Sequence, residues 1–245
     1  MRASQRFGGY FLAAIISIVA TAAWGQDPVQ VDPQHFKVAF ENDPVRVVRI
    51  HYGPHEKSPT HTHPSSVEVS LTAQHVRITS PDGFVRQEDW RAGEIEWDPS
   101  ETHSVENLSD AVLDTVLVEI KGGLPASERS AAGDVLATDH AHYRLEFEST
   151  CFRVLHVHFE PHGRSATHLH PGRITIMLTR YQVKFTLPNG EATERKGERG
   201  EISWFLPERH SFENLSDEPL EFALIEIWCE VPQRRAKPPS NPPDR

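Results

Sequence analysis

His61 and His63 lie two residues apart, and His103 follows forty residues after His63. On a β-strand, positions i and i+2 point to the same face, so both imidazoles of such a pair can approach one ion. Glu68, five residues after His63, adds a carboxylate. Three neutral imidazoles and a carboxylate suit a divalent metal ion (Fe, Mn, Ni, Co or Zn; Cu less typically) and leave one or two positions open for water, oxygen or substrate. The set recurs as His168, His170 and His210, with Thr175 where Glu68 stood. A lone His-x-His is common on surface strands. Two copies, each with a third histidine at the same distance, point to a metal centre in each half. On this reading His61, His63, Glu68 and His103 form the catalytic centre, and the three-histidine set is a second site of structural or lesser role, with the opposite assignment left open. Val67, Val69 and Leu71 alternate with Glu68, so if their face is the core, Glu68 points to solvent instead.

Other repeated residues carry weaker claims. His55, in the loop leading to the first pair, is a candidate catalytic acid or base at the cavity mouth. His51 and His158 read as hydrogen-bonded core histidines, and Trp97 and Trp204 as core rather than substrate-stacking residues. Asn107 and Asn214 stand in Asn-Leu-Ser, formally a glycosylation sequon, but read as turn residues whose side chains bond backbone. Arg46 and Arg153 repeat, as do Glu119 and Glu226, and they suggest a paired structural contact rather than chemistry. Arg173, three residues after His170, is a candidate to receive a substrate carboxylate.

The elements that must position these residues are written twice. At a constant offset of 107, residues 35–122 match residues 142–229 without gaps, with 35 of 88 positions identical. THTHP meets THLHP, GEIEW meets GEISW, and HSVENLSD meets HSFENLSD. The chain is a tandem duplication, a pair of domains rather than a solenoid. Each repeat reads as all-β: Val45–Tyr52, Val67–Thr72, Val76–Ser80, Glu94–Trp97 and Leu113–Ile120 are short runs rich in Val, Ile and aromatic residues. Turn signals separate them, such as Ser80-Pro81-Asp82-Gly83. About eight strands per repeat predict two tandem jelly-roll β-barrels, each of two four-stranded sheets. The expected division is a leader over residues 1–25, domain 1 over 26–122, a linker over 123–141 with a short helix near 126–132, domain 2 over 142–230, and a proline-rich tail over 231–245.

Composition limits the functions. The formal charge of −10 becomes −12 once Arg2 and Arg6 leave with the leader, because neither Asp nor Glu precedes Asp27. Such an acidic chain opposes nucleic-acid and anionic-membrane binding. The expected partner is a small-molecule substrate, with homo-oligomerisation left open. The leader has basic residues, an apolar run of about 14 residues (too short to span a bilayer) and small residues around Gly25. It reads as a signal peptide cleaved near Gly25, placing the protein in the periplasm or outside the cell. The two cysteines, Cys151 and Cys229, are too few for a zinc-cysteine site. Export permits them one disulfide, with two free thiols the alternative.

Gly53, His61, His63 and Glu68, followed by Gly93, Pro99, His103 and Asn107, resemble the two motifs of the cupin superfamily, and the tandem copy makes the chain similar to the bicupins. Gly200, Pro207, His210 and Asn214 repeat the second motif. Several motif positions depart: Gly53 lies two residues too far from His61, Glu160 replaces it in the second half, and the turn glycine after Glu68 is absent. The resemblance implies a jelly-roll barrel with the metal inside and substrate entering at the mouth, in a group that includes oxalate decarboxylase-like, quercetinase-like and germin-like proteins. The function it implies is a metal-dependent oxidoreductase, a dioxygenase acting on a small oxygenated molecule. The alternatives are a lyase or decarboxylase of a small carboxylate, and an exported binder of a metal or small ligand.

Overall fold

A computed structural model describes residues 26–121, 124–125 and 133–230. The leader, the helix expected near 126–132 and the proline-rich tail lie outside the described residues. The first half contains α1 (Pro28–Val31), β1 (Phe36–Glu41), β2 (Val45–Tyr52), β3 (His61–His63), β4 (Ser66–Ser70), β5 (Gln74–Thr79), β6 (Val85–Trp90), β7 (Ile95–Asp98), β8 (Glu101–Asn107) and β9 (Leu113–Ile120). After β10 (Leu124–Pro125) the second half repeats the order as α2 (Val135–Thr138), β11 (Tyr143–Glu148), β12 (Phe152–Phe159), β13 (His168–His170), β14 (Gly172–Met177), β15 (Tyr181–Thr186), β16 (Ala192–Gly197), β17 (Ile202–Phe205), β18 (Glu208–Asn214) and β19 (Leu220–Ile227), then β20 (Cys229–Glu230).

Each half forms a jelly roll from a five-stranded and a four-stranded sheet. The orders are β1-β2-β9-β4-β7 and β3-β8-β5-β6 in barrel 1, and β11-β12-β19-β14-β17 and β13-β18-β15-β16 in barrel 2. That is one strand more per barrel than the sequence predicts. β6 (VRQEDW) explains part of the difference: it is an edge strand with no fully buried residue, so it lacks the apolar alternation that marks a strand in sequence.

The five-stranded sheets are buried on both faces, which is why β2, β9, β12 and β19 read as nearly continuous apolar runs. One face lines the barrel's own interior. The other packs against the opposite barrel: Val45, Val47, Val67, Val69, Val116 and Val118 form a single core with Val154, Ile174, Ile176, Ala223, Ile225 and Ile227. The tryptophans of the two GEIxW segments cross this junction. Trp97 stacks on Phe152 at 5.3 Å between ring centroids, and Trp204 on Phe40 at 6.1 Å.

Because Val67 and Val69 face the opposite barrel, Glu68 between them faces the interior of barrel 1. His51, expected in the core, is exposed, and its place on the inner face is taken by Ile50 and Tyr52. Asn107 and Asn214 are fully buried. The Asn107 amide donates to the carbonyls of Gly53 and Ala111, and its oxygen accepts from Ser109. This is the turn role, and it keeps the sequon nitrogen inside the protein. Cys151 is disulfide-bonded, and Cys229 is the only other cysteine in the chain.

Candidate metal centre

Strand pairing brings each His-x-His to its third histidine. In barrel 1, β3 pairs with β8 so that His61 lies opposite His103, and in barrel 2, β13 pairs with β18 so that His168 lies opposite His210. All six rings are buried. Nδ1 of His61 donates to the Pro59 carbonyl at 3.0 Å, and Nδ1 of His168 to the Ala166 carbonyl at 2.8 Å. A proton held on Nδ1 leaves the Nε2 lone pair free to ligate.

The two sets then differ. One ring nitrogen from each of His168, His170 and His210 lies within 4.8 Å of the others, and among the described residues this is the only group of its kind. In barrel 1 the rings of His61 and His63 are 6.3 Å apart, against 4.6 Å for His168 and His170. The structure therefore brings the second set together and leaves the first set more open, the reverse of the order expected from Glu68.

The two sets also differ in a carboxylate far away in sequence. Glu226, fully buried on β19, accepts from both Nδ1 of His170 and Nε of Arg153. It fixes the tautomer and orientation of His170, as the outer partner of a metal-binding histidine does. Arg153 is held in turn by Asp134 at 3.1 Å. The equivalent Glu119 is occupied by Arg46, which makes bonds of 2.5 and 3.0 Å to it. His63 instead gives its Nδ1 to the Pro64 carbonyl, and its Nε2 lies 3.4 Å from Asp98.

Electrostatics favour ligation in both barrels. Burial lowers the pKa of His168 and His61, lowers that of His170 well below the ordinary histidine value, and takes His210 down to about 2 and His103 to about 4. Neutral imidazoles are the metal-binding form. In barrel 2 the Arg173 guanidinium, 3% exposed and bonded to Glu208 at 2.7 Å, further disfavours charge on His170 and His210. Nδ1 of His210 is buried without a hydrogen bond, 3.3 Å from Glu208. Tyr143 places its hydroxyl 3.3 Å from Nε2 of His168. This donor set fits one divalent ion on His168, His170 and His210.

The remaining expected site residues fall in two places. Glu68 lines a cavity of about 270 Å³ in barrel 1 together with His61, His63 and His103. Burial first, then the charges of Asp98, Glu96 and Glu88, push its carboxyl up to about 8. His55 does not reach this cavity. It is exposed, adopts a left-handed backbone (φ 60°), and bonds Asp110 at 2.8 Å, as His162 bonds Asp217 at 2.9 Å. Its role is to fix a surface turn. The sequence offers Glu226 only as a structural partner of an arginine; its contact with His170, 56 residues away, and the place of Asp98 beside His63 were not read from it.

Tandem nine-stranded jelly rolls, each with a histidine triad from its His-x-His strand and the strand opposite, define a duplicated barrel protein with a site able to hold a metal ion. No family model matches the sequence, and no curated protein matches it. Solved structures do match in fold. AerE from Microcystis aeruginosa aligns at a TM-score of 0.56 and 16% identity, over 79% of this chain and 93% of that one. Oxalate decarboxylase from Bacillus subtilis aligns at 0.52 and 14%, over 84% of this chain and 73% of that one. These likenesses show the fold, a tandem pair of jelly-roll barrels, which is the fold that the resemblance of the sequence to the bicupins implies.

Proposed function

We propose that this protein is a metal-dependent oxidoreductase of the dioxygenase kind, acting on a small oxygenated molecule, with its metal in barrel 2. The observation that carries the reading is the convergence of three buried, neutral imidazoles with no carboxylate among them, two of which, His168 and His170, are held from behind by the Ala166 carbonyl and by Glu226. A divalent ion held there supplies a Lewis acid with open positions that can polarise a carbonyl or enol oxygen. The chain's own residues complete the site. Glu226 holds His170 in place, Tyr143 keeps a protonated hydroxyl beside His168 because burial raises its pKa, and Arg173 offsets developing negative charge. Phe185, Phe205, Phe212 and Phe222 give the cavity beside the triad apolar walls. Oxygen uptake by metal-loaded protein, followed across diketones, flavonols and dihydroxyaromatics, tests the reading; no uptake with any of them contradicts it.

A second reading, decarboxylase or lyase action on a small carboxylate, is favoured by Arg173, whose buried guanidinium lies beside His170 and His210 and receives carboxylates well. The oxalate decarboxylase with the same fold is described with Mn(II) centres, which makes Mn²⁺ the first metal to load. Carbon dioxide release from oxalate without oxygen consumption selects this reading over the first. For location, we propose export with cleavage near Gly25, supported by the leader and by the disulfide at Cys151. Amino-terminal sequencing of the mature protein tests it.

A further inference from the structure

Duplication gave the barrels one plan, yet their interiors carry opposite charge. At matching positions barrel 1 has Glu68, Glu88, Glu96 and Asp98, where barrel 2 has Thr175, Arg195, Ser203 and Phe205. The register makes the contrast sharper. Glu68 lies directly opposite Glu96 on the neighbouring strand, whereas the corresponding pair in barrel 2 is Thr175 opposite Ser203. The guanidinium among these acids, Arg86, is already engaged by Glu88 and by both oxygens of Glu101, at 2.6 to 2.7 Å. Glu96 and Asp98 also line the chamber, and neither has an arginine or lysine in contact: Glu96 accepts from the Trp90 indole, and Asp98 lies 3.4 Å from Nε2 of His63. A second observation is independent of the acids. Tyr52 is 1% exposed and lines the same cavity, and its hydroxyl has no hydrogen-bond partner.

We infer that barrel 1 is a binding chamber for a small organic cation, a primary amine carried on an apolar or aromatic body. The volume of about 270 Å³ suits such a molecule rather than a bare ion. Trp90 donates its indole N–H to Glu96 at 2.8 Å, so its ring is fixed beside the carboxylate that would meet the ammonium group, an arrangement that favours organic cations. Tyr52 supplies the remaining polar contact. This site is separate from the barrel 2 metal centre and does not require that centre to be catalytic.

The test is calorimetric titration of the full mature chain, carrying its metal, with phenethylamine and putrescine, using phenethyl alcohol and phenylacetate as neutral and anionic counterparts. Phenethylamine is expected to bind one per chain, with the alcohol and the acid at least about tenfold weaker, the scale of one charge-assisted contact. Asp98→Asn and Glu96→Gln are near-isosteric and remove like-charge repulsion, so they leave the fold intact and should each weaken phenethylamine about tenfold. Tyr52→Phe should weaken it by a smaller factor. The inference is overturned if neither amine binds, if the alcohol binds as well as the amine, or if phenethylamine affinity survives both acid substitutions. It is also overturned if Mn²⁺ alone displaces phenethylamine, which would make the chamber a metal site.

Discussion

Glu226→Gln separates the second-barrel centre from its twin. Glu226 is fully buried and bonded to His170 and to Arg153, itself 1% exposed. An amide keeps the shape but cannot accept from both donors as a carboxylate does, and it leaves the Arg153 guanidinium with Asp134 as its acidic partner. Losing the outer partner of a ligating histidine costs about 10- to 100-fold in metal affinity, or about 1.4–2.7 kcal/mol. Breaking a buried ion pair costs about 3–5 kcal/mol, and the retained Asp134 contact places this case near 3. For a chain of this length that corresponds to a fall in Tm of about 6–12 °C. The matching substitution Glu119→Gln also disrupts an arginine pair, but Arg46 is 18% exposed and Glu119 holds no histidine. It should cost less stability and leave metal affinity unchanged. Competition titration against a chelator reads the affinity, and calorimetry of metal-free protein reads the stability. If Glu226→Gln binds metal as tightly as the wild type, or if Glu119→Gln weakens it equally, the role given to Glu226 is wrong.

Three further outcomes follow from the same contacts. The Glu68 carboxyl is raised from 4.5 to about 8, so it folds protonated; its contribution is full below pH 4.5 and drains as pH rises toward 8. Metal-free Glu68→Gln, which cannot ionise, should therefore gain on the wild type between pH 5 and pH 8 in urea unfolding, and a difference that does not change with pH contradicts this. His103 and His210 are depressed from 6.5 to about 4 and about 2, so their contribution is full above about pH 6.5 and is lost as pH falls through those values. His210→Gln should flatten the acid limb of the metal-free stability profile, and an unchanged limb argues against a neutral, buried His210. Cys151→Ser opens a loop of nearly 80 residues if Cys229 is the partner, and the chain-entropy model gives a loss of about 4–5 kcal/mol, readable as the denaturant midpoint; an unchanged midpoint contradicts that pairing.

Much of the fold was legible because duplication doubles every signal. The strands Val45–Tyr52 and Leu113–Ile120 appear in the structure with the bounds read from their apolar runs. β6 was not legible, because an exposed charged edge strand leaves no periodic mark. Glu68 was ambiguous for a related reason. A strand buried on both faces shows apolar residues toward the other barrel, and its inward residues, Ser66, Glu68 and Ser70, look like a solvent face. The choice between barrels depends on Glu226, which meets His170 only through the β14–β19 pairing. No spacing rule links residues 56 apart, although the Arg153 and Glu226 pair had already been visible as a repeat. His55 was over-read because its recurrence as His162 reflects a turn that both copies need.

The position of the metal distinguishes the two barrels most sharply. Mass spectrometric metal analysis of the mature protein, its His210→Ala variant and its His103→Ala variant, all made with Mn²⁺ and Fe²⁺ available, addresses this directly. The expected result is about one equivalent in the wild type, nearly full retention in His103→Ala and loss in His210→Ala. Metal retained by His210→Ala and lost from His103→Ala would return the centre to barrel 1 and contradict the structure's ordering of the two sites.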